Sequence, residues 1–199
     1  MKSICCFFLS LFLGLNFLKA QAKVDSVVLA APDNWRTELI PFPLGFAPEI
    51  DLQGFEDIRF SSGWANPQSP EFWTYAFAWS LENHPGLSEE KLSRFFEVYF
   101  DGLMSIVSRR DSINPEDIPK TQAAFKLMPE KTSTPRYRGE IQLFDAFFSK
   151  KVMVLFVKGQ YIYCEKLDRH FVFFELSPQA FDHDVWAVFN QVKMALPCH

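Results

Sequence analysis

Between Glu71 and Leu81 the chain reads Glu-Phe-Trp-Thr-Tyr-Ala-Phe-Ala-Trp-Ser-Leu. Trp73, Tyr75, Phe77, Trp79 and Leu81 alternate with Thr74, Ala76, Ala78 and Ser80, a period of two that fits an extended strand and no helix. One face of that strand is bulky and aromatic and demands a core. The other carries only small side chains, which let a second layer come close. A chain built around this segment is committed to a sheet.

The remaining pattern supplies the partners of that strand. Gly54 to Phe60 reads as a strand with Phe55, Ile58 and Phe60 as its apolar positions. Before it, residues 23–50 form a proline-rich arm in which Pro32, Pro41, Pro43 and Pro48 break any long ladder. Trp35, Ile40, Phe42, Leu44 and Phe46 make the arm too apolar for an exposed linker, so it is expected to lie over the core with a short strand around Glu38 to Pro41. Ser88 predicts a helix N-cap, followed by Glu89 and Glu90 in the first turn, where they complement the helix dipole. Leu92, Phe95, Phe96, Tyr99, Phe100, Leu103, Ile106 and Val107 then fall on one stripe, and Arg109 and Arg110 suit the C-terminal end. Further strands are expected at Thr121 to Met128, Tyr137 to Phe148, Lys151 to Val157, Tyr161 to Cys164 and Arg169 to Leu176, with a tight Ser149-Lys150 connection and a turn at Lys158-Gly159-Gln160. Ser177-Pro178 predicts the start of a second helix burying Phe181, Val185, Trp186, Phe189, Val192 and Ala195. Strand and helix do not alternate, which argues against a parallel doubly wound sheet. The expected architecture is α+β: a single mostly antiparallel sheet of about six strands packed by two amphipathic helices, with residues 51–199 as the domain proper.

Residues 1–22 carry the pattern of an export signal. Lys2 gives a positive start, Ile4 to Leu18 is an apolar run, and Ala20-Gln21-Ala22 is a small-x-small cleavage site. The apolar run is short for a bilayer span and no other stretch is long enough for one. The expected mature protein is soluble and exported, periplasmic or secreted. It loses Lys2 and Lys19 and so carries 18 basic against 24 acidic residues. That acidic balance argues against a nucleic-acid binder, whose affinity rests on clustered Lys and Arg. Of the four cysteines only Cys164 and Cys198 survive cleavage, and in an oxidising compartment they could pair.

Catalytic signatures are missing: there is no G-x-S-x-G elbow, H-E-x-x-H, P-loop or G-x-G-x-x-G. No cofactor, catalytic residue or metal ligand is therefore assigned. A Cys164, His170, His183 zinc site matches no standard spacing, and Cys164 with His170 as a thiol–imidazole pair is as easily structural. The most unusual feature is the aromatic inventory, with 23 Phe in the chain. Trp64, Trp73, Tyr75 and Trp79 are the candidate ligand-binding residues, because aromatic rings combine large contact area with polar tips. The expected function is non-catalytic binding of a small apolar ligand or a protein partner. The alternative is a hydrolase-like enzyme gathering Glu82, His84, His170 or His183. A third reading has the arm from Ala30 to Pro48 docking onto another chain.

Three segments, Ile40-Pro41-Phe42-Pro43-Leu44-Gly45-Phe46-Ala47-Pro48, Gly54-Phe55-Glu56-Asp57-Ile58-Arg59-Phe60-Ser61-Ser62-Gly63-Trp64 and Phe72-Trp73-Thr74-Tyr75-Ala76-Phe77-Ala78-Trp79, resemble a group of uncharacterised exported bacterial proteins. The resemblance covers about a quarter of the chain. It implies export and a domain of this type, and implies nothing about mechanism. Within these segments Glu56, Asp57 and Arg59 are expected either at a ligand rim beside Trp64 or on a surface turn.

Overall fold

A computed structural model describes residues 27–129, 134–196 and 198. The export segment and the first residues of the arm lie outside the described residues. The strands are β1 (Leu29–Ala30), β2 (Arg36–Pro41), β3 (Gly54–Phe60), β4 (Tyr75–Leu81), β5 (Gln122–Leu127), β6 (Arg136–Phe144), β7 (Val152–Cys164), β8 (Arg169–Ser177) and β9 (Lys193–Met194), and the long helix is α1 (Glu89–Arg110). Seven strands form one antiparallel sheet in the order β2-β3-β4-β8-β7-β6-β5, while β1 and β9 make a separate two-stranded ribbon. The α+β class and the antiparallel pairing stand. The single sheet of about six strands is corrected to seven strands plus the ribbon.

β4 is central and every residue in it is buried. Its aromatic face joins Ile58, Phe96, Phe100 and Phe174 in the larger core under α1. Its small face, Ala76 and Ala78, meets Trp35, Val185, Trp186 and Phe189 in the second core. The strand starts at Tyr75, later than expected, because Trp73 sits in the left-handed region with φ 55° and turns the chain into β4.

Three further expectations are corrected. β7 runs unbroken through Lys158-Gly159-Gln160, which is no turn. Gly159 is there for close approach: a Cβ on it would lie 3.0 Å from the Phe174 ring on the neighbouring strand. β6 ends at Phe144 rather than Phe148, because the buried Asp145 carboxylate gathers the N–H groups of Phe147, Phe148 and Ser149 at 3.0, 3.0 and 2.7 Å and bends the chain. The second helix is an eight-residue 3-10 segment, Asp184–Gln191, capped by His183 Nδ1. Trp186, Phe189 and Val192 recur every third residue, the period of a 3-10 turn and not of an α-helix. Ala195, expected in its buried face, is exposed.

α1 begins as the sequence implies, with Ser88 Oγ accepting from Lys91 N at 3.1 Å. Its polar flank then does something the sequence does not announce. Glu89, Ser93, Glu97 and Asp101 accept from the backbone N–H groups of Leu127, Phe125, Ala123 and Thr121 at 2.7, 3.1, 3.4 and 2.8 Å. Four helical residues rise about 6 Å and two strand residues about 6.6 Å. The two repeats keep step, so a stripe of side chains closes the free edge of β5 as a further strand would. The opposite edge, β2, has no such cover among the described residues.

The arm is held by a buried ion pair. Asp57 Oδ2 accepts from Val28 N and Leu29 N at 2.8 and 2.9 Å, while Arg59 pairs with Asp57 and donates to the Leu29 carbonyl. Asp57 and Arg59 are therefore neither a ligand rim nor a surface turn. Leu44, Ala47 and Ile50 of the arm are fully buried. Where the arm crosses α1, the Phe46 carbonyl rests on Gly102, and a Cβ there would stand 1.7 Å from that oxygen. A disulfide joins Cys164 at the end of β7 to Cys198, tying down the C-terminal end of the second layer. No helix among the described residues is long and apolar enough to cross a membrane.

Candidate functional site

Both edge strands of the sheet face α1, β5 through hydrogen bonds and β2 across a cavity. On the β5 side the seam is closed by the polar stripe. On the β2 side it stays open, and a cavity of about 530 Å³ occupies it. That volume lies within the range of about 300–1,000 Å³ usual for small-molecule sites.

Each wall of the cavity follows from a local structural cause. The floor is the aromatic face of the sheet, with Ile58, Phe60 and Tyr75. One end is a ring cluster. The loop from Ser61 to Thr74 closes on itself through Trp73 N donating to Trp64 O at 3.0 Å, which sets the two indoles 5.8 Å apart. The Asp145 turn brings Phe147 against both, at 5.8 Å from Trp64 and 5.6 Å from Trp73. The helical wall is Tyr99, Leu103, Ile106 and Val107. The mouth carries Arg36, Glu38 and Arg110, all exposed.

Two indole donors inside the ring cluster are unsatisfied. Trp64 Nε1 and Trp73 Nε1 are buried donors without a hydrogen-bond partner among the described residues. Leaving such a donor unmet costs about 1–3 kcal/mol. The Tyr75 hydroxyl also has no partner there, and burial followed by the nearby Glu56 charge holds its pKa well above the ordinary range, so it stays protonated.

Behind Tyr75 and Tyr99 lies Glu56, fully buried, accepting from Trp79 Nε1 at 2.7 Å and from the Tyr99 hydroxyl at 2.8 Å. Burial raises its pKa from 4.5 to about 7 against the opposing pull of those two hydrogen bonds. It anchors the wall from behind and is not part of the lining. Like Asp57 and Arg59, it is neither a rim nor a surface residue. The sequence held a signal for it, since Glu56, Ile58 and Phe60 share one face of a period-two strand.

Three of the four candidate aromatic residues, Trp64, Trp73 and Tyr75, thus meet in one cavity. Trp79 does not: its ring is packed among Phe95, Phe96 and Phe174 and its N–H is committed to Glu56. The residues the sequence reading missed are Arg36, Glu38 and the helix positions Leu103, Ile106 and Arg110.

The histidines sit elsewhere. His84 and His170 come within 5.3 Å of each other, ring centre to ring centre, at the far end of β4 and β8. Tyr161 OH bonds His170 Nδ1 at 2.8 Å and His84 Nδ1 accepts from Gly86 N at 3.0 Å. Burial and then His84 lower the His170 pKa, so the pair is uncharged at neutral pH on the His170 side. Glu82 reaches toward Arg169 at 3.8 Å. Cys164 is fully buried in the disulfide, so it is neither a nucleophile for His170 nor a zinc ligand. His183 is occupied in capping the 3-10 segment. Among the described residues no three His, Cys, Asp or Glu side chains converge as metal ligands would. A more open depression of about 610 Å³ on the other flank of α1 is walled by Glu49 and by charges that pair with each other, Lys120 with Asp101 at 3.2 Å and Arg94 with Glu97 at 3.9 Å. No family model matches the chain, no curated protein matches it, and no solved structure matches it.

Proposed function

We propose that the protein is an exported domain that binds a small, largely apolar ligand without catalysis, in the open seam between β2 and α1. The observation that carries this reading is the cavity of about 530 Å³ walled mainly by apolar and aromatic side chains, with Ile58, Phe60 and Leu103 beside Trp64 and Trp73. An apolar body would cover the rings. The disulfide is consistent with an oxidising compartment outside the cytoplasm.

Calorimetric titration with decanol tests it. Wild type should give saturable heat, Trp64→Ala should weaken binding while leaving the thermal midpoint high enough for a folded protein, and Leu103→Trp, which fills the cavity, should abolish it. Equal heats in wild type and Leu103→Trp would refute the site. The hydrolase-like alternative has one observation in its favour, the meeting of His84 and His170. It would be supported by turnover of p-nitrophenyl acetate that His170→Ala removes.

A further inference from the structure

We infer that the ligand of the seam is an amphipathic anion, with an apolar body in the cavity and one negative head held at its mouth by Arg36 and Arg110. This rests on the apolar-ligand reading and gives it a charge. Arg36 sits over the ring cluster, its guanidinium carbon 4.4 Å from the Phe60 ring centre and 5.0 Å from that of Trp64. A guanidinium held over rings still has N–H donors to offer, and these suit a carboxylate or another oxyanion. Arg110, in the last turn of α1, lines the same mouth from the other side. Neither arginine has a carboxylate partner within ion-pair distance among the described residues, although the other flank of the same helix pairs its charges as they come. Among the described residues Glu38 is the one acid in the lining. Two arginines against one glutamate leave the opening net positive, on a chain whose overall charge is −4. The positive mouth therefore runs against the charge of the whole protein, and it coincides with the open end of an apolar cavity.

The experiment compares decanoate with decanol, which share an apolar chain and differ in the head, by calorimetric titration at neutral pH. Decanoate should bind the wild type about tenfold or more tightly than decanol, the scale of a charge-assisted hydrogen bond. Arg36→Gln and Arg110→Gln should each erase most of that preference, read as the ratio of the two affinities within each variant, and Glu38→Gln should increase it. Arg94→Gln, on the far flank of α1, should change neither affinity. All four positions are exposed, so the substitutions leave the fold intact. If decanol and decanoate bind equally and Arg36→Gln affects neither, the anionic head is wrong while the apolar cavity stands. If neither probe binds, both readings fall.

Discussion

Glu56→Gln is the substitution whose effect follows most directly from the structure. The wild-type carboxyl is sealed between Trp79 and Tyr99, and burial lifts its pKa from 4.5 to about 7. Because the folded value lies above the unfolded one, the folded state holds a proton that the unfolded state has released. The contribution to stability is full below about pH 4.5 and is lost as pH rises through about 7. The whole titration corresponds to about 3 kcal/mol, of which about 2–3 kcal/mol falls between about pH 5 and about pH 8. Glutamine keeps an acceptor for the Trp79 N–H and a donor toward the Tyr99 oxygen, but it cannot ionise. Urea unfolding at the two pH values should therefore show wild type losing about 2–3 kcal/mol relative to Glu56→Gln on going to the higher pH. A wild-type minus variant difference that stays constant across that range would refute the assignment of Glu56 as a buried, neutral carboxyl.

Other substitutions test the remaining joints. Replacing Cys164 and Cys198 together by serine should cost about 3–4 kcal/mol in urea unfolding, the chain-entropy value for a closed loop of this length, 34 residues. Asp57→Ala strands the Arg59 charge and two backbone donors in the second core, so a loss of about 3–5 kcal/mol is expected, together with faster hydrogen exchange at Val28 and Leu29. Ser93→Ala leaves the Phe125 N–H without its acceptor and should cost about 1–3 kcal/mol, with increased self-association by light scattering as the β5 edge is exposed.

What could be read in advance depended on whether the deciding contact was local. β3, β4, β8 and α1 were legible because period-two or helical patterning and the Ser88 cap are short-range signals. β7 was not, because the role of Gly159 is set by the Phe174 ring on the next strand and not by its own neighbours. The end of β6 depended on Asp145 folding its carboxylate over the following three residues, and aspartate before an aromatic pair is no recognised turn signature. The 3-10 segment reads as an ordinary helix in the sequence because apolar residues at Val185, Phe189 and Val192 also satisfy the longer period. The aromatic part of the site was visible in Trp64, Trp73 and Tyr75. The mouth was hidden, since Arg36 on β2 and Arg110 on α1 are far apart in sequence and meet only around the folded cavity. The polar stripe from Glu89 to Asp101 reads in isolation as a solvated helix face, and only the presence of β5 gives it work.

The central claim is that the seam between β2 and α1 takes a ligand against Trp64 and Trp73. The chain has five tryptophans, and their indole N–H signals can be followed together by nitrogen-15 NMR during titration with decanoate. The account predicts saturable movement of the Trp64 and Trp73 signals. Trp79, bonded to Glu56, and Trp186, bonded to the carbonyls of Gln179 and Ala180, should stay in place, as should Trp35 in the second layer. Stationary Trp64 and Trp73 signals, or movement of all five without saturation, would contradict it.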